Sequence, residues 1–166
     1  RKGIRVQNET LTQDATLQKR SFGGISNIPY IFQYYTIGTG VTLTLDPGVV
    51  CKFWSGGTIT VNNGIIAEGL ATSGNRVIFT SLTDDFYGGD TNADEDATAS
   101  NAWQWGGILV NNQALDPLTR FDNCIFRYVS GQGCIRTVSA SPSILNSSFS
   151  NSTGGVYATG ASNPLI

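Results

Sequence analysis

The sequence has no histidine at all and only three cysteines among 166 residues. Without histidine, the commonest general base and the commonest transition-metal ligand are missing. Cys51, Cys124 and Cys134 are odd in number and show no CxxC spacing, which excludes a disulfide framework and a zinc site. Each sits among apolar or aromatic neighbours and reads as a small buried hydrophobe. A Cys124–Cys134 bridge stays open for an exported chain. Charge is scarce too, at 13% of residues against a usual share of about 25%. The net charge of −2 gives no basic field to hold nucleic acid. No apolar run approaches the length needed to span a membrane.

What fills the sequence instead is small and polar. Gly 20, Thr 18, Ser 15 and Asn 13 occupy 66 positions. That composition excludes a coiled coil or a charged helical bundle. Aromatics, Val and Ile spread along the whole chain argue against disorder, and the length suits one domain with a real core.

Residues 1–28 carry five of the ten basic residues in their first twenty positions, mixed with Gln, Asn and Thr. They read as an N-terminal arm or a junction to a preceding module. From residue 29 the pattern is β. Val41-Thr-Leu-Thr-Leu45 alternates strictly, and Asp46-Pro47-Gly48 is a turn, since Pro presets φ and Gly accepts positive φ. Val49–Phe53 follows, Gly56-Gly57 interrupts, and Thr58–Val61, Ile65–Ala67 and Arg76–Ser81 continue the series. No helical period is present.

The later half repeats itself. Ser141-Pro-Ser-Ile144 recurs as Asn163-Pro-Leu-Ile166, a shift of 22. Phe121-Asp-Asn123 with Cys124-Ile-Phe126 recurs as Ile144-Leu-Asn146 with Ser147-Ser-Phe149, a shift of 23. A period just above twenty, with about three short strands in each, predicts a solenoid. The next coil then lies one strand spacing, about 4.8 Å, further along. Asn123 and Asn146 would stack at one corner as an amide ladder. Asn146 and Asn151, like Asn8, also begin N-x-Ser/Thr sequons, which matter only in a host that glycosylates Asn.

From Tyr30 to Gly107 the chain resembles the right-handed parallel β-helix domains of large bacterial surface and secreted proteins. Carrying the resemblance are Gly40-Val-Thr-Leu-Thr-Leu-Asp-Pro-Gly-Val-Val-Cys-Lys-Phe53, Gly64-Ile-Ile-Ala-Glu-Gly-Leu70, Val77-Ile-Phe-Thr-Ser81, Gly88-Gly-Asp-Thr-Asn92 and Trp105-Gly-Gly-Ile108. Gln104 and Glu95 depart from it, standing where Asp and Gly are usual. The resemblance implies an extracellular or cell-surface location and end-to-end stacking of modules. It implies no single activity, because such folds host lyases, adhesins and inert stalks.

The fold class expected is therefore all-β: a right-handed parallel β-helix over 29–166, with an acidic loop inserted at about 84–104. Its expected core is Val41, Leu43, Leu45, Val49, Cys51, Phe53, Ile59, Val61, Val77, Phe79, Ile108, Val110, Phe121, Cys124, Phe126, Ile144, Phe149 and Val156. The sequence stops in what reads as the start of another strand. We expect a piece of a longer chain, or a processed one, whose helix continues or docks on another copy.

Six of the twelve acidic residues fall in 84–96. Asp84, Asp85, Asp90, Asn92, Asp94 and Asp96 are candidate ligands for calcium, which takes six to eight oxygens in flexible geometry. Asp90, Asn92 and Asp94 match the first half of an EF-hand loop, but Glu95 and Asn101 spoil the second. The competing reading is a solvated acidic loop. Trp103 and Arg127 are candidate ligand or partner residues. Trp103 and Trp105 would share one strand face, with Trp105 expected to be buried as in the resembled domains. A lyase would need a base such as Arg120, Arg127 or Arg136 opposite a calcium-bound uronate. A glycosidase would need two carboxyls about 5 to 9.5 Å apart, and Asp116 and Asp122 instead sit at turns. No catalytic residue is assigned.

The function expected is a non-enzymatic structural or adhesive module of an extracellular cell-surface or filament-forming protein. Its partners would be neighbouring coils or copies of itself end to end, and glycans. The alternatives are a carbohydrate-binding or polysaccharide-cleaving β-helix and a polymerising subunit.

Overall fold

The structure, a computed structural model, describes residues 2–95, 97–98, 101 and 104–166. It is all-β. Among the described residues there is no α-helix, and one short 3-10 turn covers Asp116–Leu118. In chain order the strands are β1 (Ile4–Arg5), β2 (Thr10–Leu11), β3 (Ala15–Leu17), β4 (Tyr30–Ile37), β5 (Thr42–Leu45), β6 (Val50–Val61), β7 (Gly64–Glu68) and β8 (Val77–Ser81). They continue as β9 (Gly107–Val110), β10 (Thr119–Asp122), β11 (Cys124–Arg127), β12 (Ile135–Val138), β13 (Ser143–Leu145), β14 (Ser148–Ser150) and β15 (Val156–Thr159).

Every ladder between these strands is parallel. One sheet runs β3–β5–β7–β10–β13. The other is larger because β4 and β6 are long enough to turn a corner. The first half of β6 pairs with β8, and its second half pairs with β9. β8 leads on to β11 and β14, and β9 leads on to β12 and β15. The expected break at Gly56-Gly57 is thus a bend inside one strand. Gly56 takes φ 72° there, and the register against β4 shifts between Phe32 and Tyr34.

The sequence period appears as physical contact. Side-chain hydrogen bonds recur between residues 22 or 23 apart, as from the Cys124 amide to Ser147 Oγ, the Val129 amide to Ser152 Oγ and the Asn163 amide to Ser141 Oγ. The first strands lie in the segment expected as an arm or junction. β1 and β2 pair with β4, and β3 pairs with β5.

Alternation along each strand puts one set of side chains inside. The expected core residues are buried except Phe149 and Val156, which pack half-buried at the far end. Two aromatic columns run through the interior at about one strand spacing. Phe53 stacks on Phe32 at 5.5 Å and on Trp105 at 4.0 Å between centroids. Phe126 stacks on Phe79 at 4.8 Å and on Phe149 at 5.2 Å. Trp105 is fully buried, as expected, and its Nε1–H donates to the Arg127 carbonyl at 2.7 Å.

The three cysteines are free and buried, as expected of small hydrophobes, and the Cys124–Cys134 bridge that the sequence left open does not form. One expectation is corrected. Asn123 and Asn146 share the left-handed region, at φ 50° and 49°, but their amides do not bond to each other. Both donate to Asp122 Oδ1, at 3.1 and 2.9 Å, because a carboxylate accepts more strongly than an amide oxygen. An amide-to-amide bond forms instead from Asn111 to Asn62, at 2.8 Å.

Candidate functional site: an acidic loop over a cationic strand face

Alternation also leaves an outward row on β6, β8 and β11. Lys52 is opposite Thr80 in the ladder, and Arg127 follows Phe126, the partner of Phe79. Lys52 and Thr80 point away from the core, yet both are fully buried. The segment after β8 folds back over them. Its first turn closes through the Asp84 amide on the Ser81 carbonyl at 3.1 Å.

Asp84 faces the sheet and is 3% exposed. It accepts from Thr80 Oγ1 and from Arg127, whose Nη1 lies 3.0 Å from Oδ2. The Arg127 guanidinium is enclosed by aromatic rings, at 5.4 Å from the Phe86 centroid, 5.3 Å from Tyr87 and 4.8 Å from Tyr128. Its Nη2 also donates to the Tyr128 hydroxyl at 2.8 Å. Of the residues singled out from sequence, Asp84 and Arg127 are therefore brought together with each other.

Asp85, Asp90 and Asp94 form a separate group, each offering a carboxylate oxygen within 4.8 Å of the others. The backbone makes this cluster by a tight turn. Asp90 Oδ1 accepts the Asp94 amide at 3.1 Å, and Ala93 and Glu95 take φ 62° and 54°. Desolvation raises the Asp90 pKa, but the amides of Asp94, Ala93 and Glu95 and the charge of Lys2 outweigh it and hold it below the ordinary carboxylate value. Both Asp94 carboxylate oxygens and Asn92 Oδ1 are enclosed and, among the described residues, accept no hydrogen bond. Asp96 and Trp103 lie outside the described residues.

Lys52 was not singled out from the sequence. It is fully buried, and its ammonium donates to the Gly89 carbonyl at 2.6 Å. Burial lowers its pKa to about 8, while the carboxylates of Asp85, Asp84 and Asp90 pull it back up. The signal for it was a lone lysine at an outward position of the apolar run Val49–Phe53, ahead of an acidic insertion. The arrangement can do two things chemically. It neutralises an acidic loop with Lys52 and Arg127, and it gathers Asp85, Asp90 and Asp94 as oxygen donors. No family model, curated protein or solved structure matches this chain.

Proposed function

We propose that the chain is a right-handed parallel β-helix, serving as a non-enzymatic structural or adhesive module of an extracellular cell-surface or filament-forming protein. The observation that carries the reading is the register. Strands about one period apart pair in parallel, inward side chains stack on their equivalents, and side-chain bonds link residues 22 or 23 apart. Parallel crossovers are right-handed in nearly all proteins. The conspicuous charged groups support the same reading, since Lys52 and Arg127 are engaged in holding a loop to the wall.

The outermost strands support end-to-end association. Among the described residues β1, β2, β14 and β15 each pair on one side only, and such edges are templates for another strand. Sedimentation velocity across a concentration series tests this. Species that grow with concentration in whole-chain steps support stacking of copies. A monomer throughout the series removes stacking and leaves the lateral wall as the working surface.

The acidic loop fits calcium in this reading. Asp85, Asp90 and Asp94 supply close carboxylates, and the enclosed oxygens of Asp94 and Asn92 want a positive partner. Calcium would hold the outer half of the loop as Lys52 and Arg127 hold the inner half.

A further inference from the structure

We infer that the strap between β3 and β4 docks on an anionic lipid bilayer, with Phe22 and Ile25 entering the interface and Arg20, Lys19 and Lys2 facing the headgroups. The inference goes beyond the structural reading and needs neither calcium nor stacking of copies.

Residues 18–29 link β3 to β4, and the base of this strap is tied down on both sides. The Tyr30 hydroxyl donates to the Gln18 carbonyl at 2.8 Å, and Asn27 Nδ2 donates to the Gly48 carbonyl at 2.9 Å. Between these ties the chain reverses at Gly23 and Gly24, with φ 57° and 79°, the pair of left-handed residues that closes a two-residue hairpin. The tip stands clear of the wall, since a Cβ on either glycine would meet nothing within 4 Å. The side chains that flank it are apolar and bare. Phe22 is 81% exposed and Ile25 40%. They border a groove of about 450 Å³ with Ile4, Ile28, Lys2 and Arg20.

The backbone narrows what the tip can meet. Phe22 and Ile25 exchange both backbone hydrogen bonds at 3.0 Å, and the Ile28 amide donates to the Arg20 carbonyl at 2.7 Å. These groups are spent inside the strap, so a partner's strand has no edge to add to there. The same closure suits lipid, where an unpaired backbone group is costly. A small ligand is recognised by being enclosed, whereas a ring as bare as Phe22 projects outward. A bilayer deforms around such a ring.

Charge selects the lipid. Residues 1–8 and 15–28 contain no acidic residue. Among the described residues Arg20 has no carboxylate partner. The Lys19 ammonium donates to two neutral oxygens, the Gly74 carbonyl at 3.0 Å and Asn75 Oδ1 at 2.8 Å. The charge of Lys2 also reaches Asp90, so Arg20 and Lys19 supply most of the attraction. The two acids between these stretches are engaged elsewhere: Asp14 accepts from the Thr42 amide at 2.8 Å, and Glu9 acts on Tyr35. With a net charge of −2, the chain is drawn to an anionic surface only through a local cationic patch. Apolar side chains set among cations divide the work at such a surface. The rings enter the acyl boundary, and the cations meet the negative headgroups.

The test is co-sedimentation of the full chain, in chelator, with vesicles of equal parts phosphatidylserine and phosphatidylcholine, and with phosphatidylcholine alone. The expected result is saturable binding about tenfold tighter to the anionic vesicles, weakening as salt is raised. Arg20→Gln is expected to weaken that binding about fivefold, and Phe22→Ala about tenfold. Phe86→Ala is the control, because Phe86 is as bare, at 78% exposed, but lies in the acidic loop. Phe22→Trp is expected to keep binding, and brominated acyl chains are expected to quench its added emission. Circular dichroism confirms that each variant is folded, and Arg20→Gln with Phe22→Trp decides the matter if Phe22→Ala does not fold. Absence of binding to the anionic vesicles overturns the inference, as does binding that Arg20→Gln and Phe22→Ala leave intact. An equal loss in Phe86→Ala overturns it too, since any bare ring would then serve. If the vesicles do not bind and Phe22→Ala instead dissociates a self-associated form in sedimentation velocity, the tip is a contact between copies.

Discussion

Arg127 Nη1 lies 3.0 Å from Asp84 Oδ2, across 43 residues of sequence. The arginine is the last residue of β11 and the aspartate opens the loop that follows β8. Their pairing fixes which side of the acidic segment faces the sheet. It commits Asp84 to the arginine, while Asp85, Asp90 and Asp94 bring carboxylate oxygens within 4.8 Å of one another.

Breaking that pair leaves a charge enclosed without its partner. Arg127 and Asp84 side chains are 16% and 3% exposed, so Asp84→Asn and Arg127→Gln are each expected to cost about 3 kcal/mol. The double variant is expected to cost less than the sum of the two. Urea unfolding of the four proteins in a double-mutant cycle checks this, and additive losses would show that the two side chains act separately.

Lys52 sets a pH dependence with a definite sign. Burial lowers its pKa to about 8 in the folded chain, against about 10.4 when unfolded. Between these values the unfolded state binds the extra proton, so this group's contribution to stability rises with pH. Stability of the native chain minus that of Lys52→Met is expected to climb by roughly 3 kcal/mol from pH 8 to 10.5. A flat difference curve would mean that the ammonium is not enclosed.

The three thiols act in the opposite direction. Burial raises Cys51, Cys124 to about 12 and Cys134 to about 11. Their unfolded value is about 8.5, so their contribution is complete below that pH and is lost as pH rises toward the folded values. The same enclosure keeps them inert. At pH 8 a thiol reagent such as Ellman's is expected to label none of the three in the native chain and all three in denaturant. Fast labelling of the native chain would contradict their burial.

Trp105 is held by both stacking and a hydrogen bond. Trp105→Phe keeps a ring against Phe53 but leaves the Arg127 carbonyl without its donor. It is expected to cost about 1–3 kcal/mol, and Trp105→Ala about 3–5 kcal/mol. Equal losses for the two would show that the hydrogen bond dominates.

Calcium is expected to raise the melting temperature of the native chain by about 5–10 °C at a hundredfold excess over its Kd. Asp94→Asn is expected to abolish the rise, and Asp84→Asn to keep it while lowering the starting temperature. Scanning calorimetry with calcium and with chelator checks both. An identical rise in Asp94→Asn would place the ion elsewhere.

Much of the local structure was legible in the residue order. Val41–Leu45 alternates because a strand exposes one face and buries the other, and Gly48 marks a turn because φ 82° excludes most side chains. The 22–23 spacing is equally local, since each strand and corner uses a fixed length of chain. These features need only backbone sterics and the cost of wetting apolar groups. The partners of charged groups were not legible. Lys52, Thr80 and Arg127 form one outward row only once β6, β8 and β11 are in register, and only then does the loop find cations beneath it. Which carboxylate faces inward is decided by desolvation and by the fit of one guanidinium among three rings. Those quantities depend on distances between residues far apart in the chain, and only the tertiary structure sets them.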